Sequence, residues 1–147
     1  MLAVQKSKKH QGKCVPNVLP CKINHDGPVD ATKRYWAPTK TEDGKTIAYF
    51  RGRKLQGKAM RVPKGHRGVV LTSTDRIVLP DPAEEQEADE DRIEVGIMEE
   101  QSQFDEIMVW GHESAPDALT DPYVKGMEEW IGFASQIHSV EEEKNSS

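Results

Sequence analysis

Cys14, Cys21 and His25 stand in the order C-x6-C-x3-H. Thiolates and imidazoles ligate zinc, but structural zinc sites pair their cysteines two to four residues apart and require a fourth ligand. Cys21 also alternates with Leu19 and Ile23, which places all three on one side of an extended chain. It therefore reads as a buried structural thiol. No serine lies in a Gly-x-Ser-x-Gly elbow. His10, His25, His66, His112 and His138 fall in turns, tails or element ends. His25-Asp26 is the pair that could orient a general base, and it precedes a Gly-Pro turn where polar residues are expected anyway. Two-metal phosphoryl chemistry needs carboxylates on rigid elements that hold the ions ~3.5–4 Å apart. The acids of residues 1–80 are Asp26, Asp30, Glu42, Asp43 and Asp75, mostly in turn sequence. Gly52, Gly57, Gly65 and Gly68 match neither a P-loop nor a dinucleotide fingerprint. No catalytic, cofactor or metal constellation is expected in this chain.

Tyr49-Phe50-Arg51-Gly52-Arg53-Lys54 combines aromatics with bases on a strand and its turn. Strand aromatics can stack bases. Adjacent strand residues point to opposite faces, however, so at least one of Tyr49 and Phe50 belongs to a core.

The chain of 147 residues is 31% charged. Leu, Ile, Val and Phe number 29, a share just under the roughly 20% below which a folded core becomes doubtful. There is no apolar run near the ~18 residues of a membrane span. The polar N-terminus MLAVQKSKKHQGK lacks the apolar stretch of a secretory signal. The net charge of −5 is polarised: residues 1–80 carry 17 bases against five acids, and residues 81–147 carry three bases against 20 acids. A basic half can meet nucleic acid or neutralise an acidic partner.

The elements that would position these residues are mostly strands. Val18–Asn24 alternates and ends in the Asp26-Gly27-Pro28 turn. Asp43-Gly44 is a hairpin-type turn leading into Thr46–Arg51. Met60 and Val62 alternate with Ala59 and Arg61, and Val69–Thr72, Ile77–Leu79 and Glu106–Trp110 add further short strands. This spacing predicts a small β-barrel or sandwich. Residues 1–13 read as a disordered arm. Lys6, Lys8 and Lys9 resemble a nuclear-import patch only superficially. Residues 81–102 hold a dense acidic run and read as a disordered insertion, with Ile93, Val95 and Ile97 as a weak edge-strand pattern. A helix starts with Asp121 as N-cap and Pro122 in the first turn. Its expected core stripe is Tyr123, Met127, Trp130, Ala134 and Ile137. Residues 141–147 read as a polar tail, and 14–140 as one domain around the insertion.

LPCKINHDGP at 19–28, AYFRGRKLQG at 48–57 and VPKGHRGVVL at 62–71 resemble the C subunit of the eukaryotic type 2 ribonuclease H complex. The strand ending Trp110-Gly111-His112 and the helix through Trp130 fit the C-terminal end of that family, with His112 where a more apolar residue is expected. The resemblance covers about 15–80 and 103–140. It implies a non-catalytic subunit, mainly β, forming half of an interwoven triple β-barrel with the B subunit, plus one C-terminal amphipathic helix. The pair would support the catalytic A subunit, which carries the carboxylates and the divalent metal. That complex cleaves RNA in RNA/DNA hybrids and incises at ribonucleotides in DNA, which implies a nuclear location and no membrane. The partner-interface candidates are Tyr49, Phe50, Arg51, Arg53, Leu55, Trp110 and Trp130. Of these, Arg53 is expected to contact the catalytic subunit through its planar guanidinium fork.

Three functions remain to be weighed on the residues. A scaffold half should be poorly folded alone. A self-standing β-barrel that binds nucleic acid should fold and bind in a salt-dependent way. A small enzyme should turn over a substrate by itself.

Overall fold

The β-forming runs assemble into two sheets, one in each of two units. The computed structural model describes residues 1–29, 32–78 and 94–142. One unit comprises Met1–Cys14 and Gly65–Asp105; the other comprises Val15–Lys64 and Glu106–Ser147.

In the first unit β1 (Leu2–Lys6) runs parallel to β7 (Gly96–Phe104), with Leu2 opposite Gly96 and Lys6 opposite Glu100. Strand β6 (Gly68–Ile77) pairs antiparallel with the other side of β7, so the order is β1-β7-β6. Gly68 has no room for a side chain: a Cβ there would stand 2.1 Å from the Phe104 ring. Strand β6 continues through Ser73-Thr74-Asp75, where two strands separated by a break are expected. Its register shifts between Val70 and Leu71 and again between Ser73 and Ile77. Across the second irregularity Thr74 Oγ1 donates to the Ile97 carbonyl at 2.6 Å, occupying a ladder position with a side chain.

Two expectations change here. Residues 1–13 are not an arm. Beyond β1, the Ser7 and Gln11 amides donate to the Glu100 and Gln101 carbonyls, and the Gln103 amide donates to the Gly12 carbonyl. Leu2 and Val4 are exposed, so no burial pattern marks this strand; main-chain hydrogen bonds hold it. The expected disordered insertion at 81–102 also ends earlier than its charge suggests, because β7 begins at Gly96. Acids that repel along the chain meet cations across the sheet, where Arg76 pairs with Glu99 and Arg67 pairs with Glu100 at 2.7 Å. Residues 81–93 of the insertion, Ile93 included, Leu79 of the expected Ile77–Leu79 strand and the 143–147 part of the tail lie outside the described residues.

In the second unit five strands take the order β2-β8-β5-β4-β3. They are β2 (Asn17–Val18), β3 (Thr39–Lys40), β4 (Thr46–Phe50), β5 (Arg53–Arg61) and β8 (Glu106–His112). All pairings are antiparallel except β2 with β8. Strand β2 is shorter than the expected Val18–Asn24 because Pro20 has no N–H to donate to a ladder. Cys21 is therefore exposed rather than a buried thiol. Leu19 does pack on the core formed by Ala48, Leu55 and Trp110, together with Trp36, Phe50 and Met108. A short helix, α1 (Thr32–Tyr35), precedes β3.

The long helix α2 (Pro122–Glu142) starts where expected. Asp121 Oδ1 accepts from the Tyr123 and Val124 amides at 2.9 and 3.0 Å, satisfying two orphan donors of the first turn. Lys58 and Val109 share the face of the sheet opposite Trp110, and Lys58 Nζ reaches Glu128 at 3.1 Å. The helix thus lies on that face. Its inward line is Val124, Met127, Ile131 and Ala134, at spacings of three and four, with Val124 fully buried. Tyr123, Trp130, Phe133 and Ile137 form an exposed line beside it. The expected core stripe mixed the two lines, because a helix apolar over so wide an arc does not by its period reveal which edge faces inward.

Candidate partner interface

Strands β4 and β5 close as a two-residue hairpin, with Phe50 opposite Arg53. The strand twist demands left-handed backbone at both turn positions, and Arg51 and Gly52 have φ of 49° and 76°. Glycine suits this region; arginine there is sterically disfavoured. The turn projects Arg51 outward, with its guanidinium 5.2 Å from the centroid of the Phe50 ring.

Beneath the turn is a chain of rings. Phe50 meets Trp36 edge to face at 6.3 Å, and Trp36 meets Trp110 in the same manner at 5.1 Å. Trp110 is 1% exposed and its Nε1 donates to Asn17 Oδ1 at 2.8 Å. Gly57 lies opposite Trp110, where a Cβ would stand 3.0 Å from the indole. Gly111 is required by the loop that follows, since its Cβ would meet the Ser114 carbonyl at 2.3 Å.

Beside the rings is a groove of about 620 Å³ lined by Val29, Arg34, Tyr35, Trp36, Tyr49, Phe50, Arg51 and Gly52. Tyr49 is 58% exposed, whereas Phe50 is half-buried, so the opposite-face reading of this pair holds. The charged residues at the groove are Arg34 and Arg51, and Arg34 lies 5.5 Å from the Tyr35 ring centroid. An aromatic wall flanked by guanidinium groups can take an apolar side chain next to a carboxylate or carbonyl.

The seven interface candidates separate on this geometry. Tyr49, Phe50 and Arg51 come together at the groove. Arg53 is exposed at the start of β5, and its Nη1 donates to His112 Nε2 at 3.4 Å. His112 thus supports Arg53 in place of an apolar contact. Leu55 and Trp110 are interior side chains of the chain's own core, sealed beneath Trp36 and Phe50, so neither is a surface contact. Trp130 is 68% exposed on α2, next to Phe133. The sequence reading missed Arg34, Tyr35 and Trp36; the adjacent Tyr35-Trp36 pair just before a Pro-bounded strand was the available signal.

The first unit holds a buried polar cluster. Glu100 is 4% exposed and accepts from Gln103 Nε2 at 2.7 Å, Arg67 Nη1 at 2.7 Å and His10 Nε2 at 3.2 Å. The Gln103 hydrogen bond, then that from Arg67, holds its carboxyl down at a pKa of about 2 against burial. Cys14 Sγ lies 3.2 Å from Ser102 Oγ. Among the described residues no three His, Cys, Asp or Glu side chains converge as a metal site, and no helix is long and apolar enough to cross a membrane.

The family model described as "Ribonuclease H2 non-catalytic subunit (Ylr154p-like)" matches residues 15–137. The C subunit of ribonuclease H2 from Bos taurus is 28% identical over 137 residues, covering 84% of this chain and 79% of that protein. An uncharacterised protein of Schizosaccharomyces pombe is 27% identical over 124 residues, covering 82% of this chain and 80% of its own.

Proposed function

The chain belongs to the family of non-catalytic subunits of ribonuclease H2, a multi-subunit enzyme, and on that premise we propose that it is the scaffold half of an interwoven triple β-barrel. The B subunit supplies the other half. The pair carries the catalytic A subunit, which holds the divalent metal and cleaves RNA in RNA/DNA hybrids and at ribonucleotides in DNA, in the nucleus. This chain contributes no catalytic group. Tyr49, Phe50, Arg51 and Arg53 form the contact to the catalytic subunit, and the exposed line of α2 around Trp130 is a second contact within the assembly.

The observation that carries the reading is the three-stranded sheet. Ile97 is its one buried large apolar side chain among the described residues, while Leu2, Val4, Val70, Ile77 and Val78 are exposed. Among the described residues its outer strands β1 and β6 each pair on one side only. A sheet with one buried large side chain and two open edges does not offset the entropy of ordering its backbone, and open edges invite pairing by a partner's strands. A partner that adds strands there completes the core, as in obligate interfaces.

Hydrogen exchange tests this directly. In the full chain alone, amides of β1 and β6 should exchange much faster than those of β5 and β8. Co-expression with the B subunit should protect them. Equal protection of both sheets in the isolated chain would refute the shared barrel. RNA/DNA cleavage by the purified chain alone would refute the non-catalytic assignment.

A further inference from the structure

We propose that the loop Lys6–Lys13 binds the phosphodiester backbone of a nucleic-acid duplex. The scaffold reading supplies only the occasion on which the duplex comes near.

Lys6, Lys8 and Lys9 are exposed, and among the described residues none of them forms an ion pair. The neighbouring carboxylates are already engaged: Glu100 accepts from Gln103, Arg67 and His10, and Asp105 pairs with Lys13 at 2.5 Å. Three unneutralised charges therefore lie within four residues. The backbone beneath them is held. The Ser7, Gln11 and Cys14 amides donate to carbonyls of β7, and the His10 ring hydrogen-bonds buried Glu100. The lysines thus project from a fixed main chain rather than a tail, and less ordering entropy opposes binding.

The chemistry of the loop favours a phosphate backbone over an acidic polypeptide. Lys6-Ser7-Lys8-Lys9-His10-Gln11-Gly12-Lys13 contains no apolar side chain. Protein interfaces draw their energy from buried aromatic and aliphatic anchors. Phosphates need only cations, hydroxyls and amide donors. Lysine is a point charge without the guanidinium fork that reads guanine. Binding should accordingly be independent of sequence and strongly dependent on salt.

The test compares Lys6→Gln/Lys8→Gln/Lys9→Gln with Lys22→Gln/Lys40→Gln/Lys45→Gln, which removes the same charge from the other unit. Binding of a 20-base-pair RNA/DNA hybrid, and of a DNA duplex of the same sequence, is followed by anisotropy in EDTA. The measurement is made with the assembled complex and with the full chain alone. Each phosphate contact contributes about −0.9 to the slope of log K against log salt, so three contacts contribute about −2.7. Between 50 and 200 mM salt the unsubstituted protein should then lose about 40-fold more affinity than the loop variant. The control should keep the full slope. An unchanged slope in the loop variant would overturn the proposal. So would a loop variant that keeps its slope but sheds a co-purifying protein, which would assign the loop to an acidic polypeptide. Failure of the chain to assemble with co-expressed B and A subunits would refute the scaffold reading instead, and a slope change in the chain alone would still support the loop.

Discussion

Replacing Gly57 with alanine should strain the ring stack under the hairpin, and the strain should vanish when Trp110 is trimmed. A Cβ at position 57 would stand 3.0 and 3.1 Å from Cζ3 and Cε3 of Trp110 and 2.9 Å from Met108 Sδ. The thioether can swing aside, but the indole is held by Asn17 and by the edge of Trp36. Overpacking of this kind costs about 1–3 kcal/mol. Trp110→Phe removes the six-membered ring of the indole from that space, at a cost of about 0.5–1.5 kcal/mol for the lost hydrogen bond plus a cavity contribution. In the Trp110→Phe background Gly57→Ala should cost almost nothing, giving a coupling of about 1–3 kcal/mol. Equilibrium urea unfolding of the full chain, followed by far-UV circular dichroism, reads this as a midpoint shift of about 1 M for Gly57→Ala alone. Additivity of the two substitutions within about 0.5 kcal/mol would refute the claim that the glycine is there to admit the indole.

Trp130→Ala should change the urea midpoint of the isolated chain little, by about 1 kcal/mol or less, because only about a third of the ring is covered. Covering the remaining ~150 Å² in the complex would be worth about 4 kcal/mol, so the dissociation constant of the assembly should rise by about a thousandfold. Glu100 titrates at about 2 when folded, below its ordinary 4.5. A lowered folded pKa stabilises above the unfolded value and loses that contribution as pH falls from about 4.5 towards 2. In the assembled complex, acid unfolding of the three-stranded unit, followed by amide exchange, should therefore steepen in that window and flatten in Glu100→Gln. A Cβ at Gly126 would meet nothing within 4 Å, so Gly126→Ala should raise the melting temperature of the isolated chain through up to about 1 kcal/mol of helix propensity.

The exposed apolar residues also explain a composition near the lower limit for a folded core. Few large side chains are available, and several of them lie on the surface: Leu2, Val4 and Ile77 in one unit, Tyr123, Trp130 and Phe133 in the other. Selection for an internal core alone would bury them. Their placement agrees with a subunit whose remaining core lies in its assembly; the proposed contact residues Tyr49 and Arg51 are likewise exposed, whereas Leu55 and Trp110 are buried beneath the hairpin that presents them.

Features that depend on local chemistry were legible along the chain. Asp121 and Pro122 mark the start of α2 because N-capping involves only neighbouring residues, and Asp43-Gly44 marks the turn between β3 and β4 because turn chemistry is equally local. The motif stretches carried the family likeness for the same reason. What required the tertiary structure was everything settled by a distant partner. Leu2–Lys6 forms an edge strand because β7 offers carbonyls and amides that leave no trace in side-chain pattern. Glu99 and Glu100 belong to a strand because Arg76 of β6 and Arg67 just before it approach from the neighbouring strand, whereas a count along the chain sees only like charges. Cys21 lies outside because Pro20 ends the ladder that alternation alone would have continued. Val124 rather than Trp130 faces the sheet because the period of a helix defines an apolar arc but not its orientation, which is fixed only by the strand face on which the helix comes to rest.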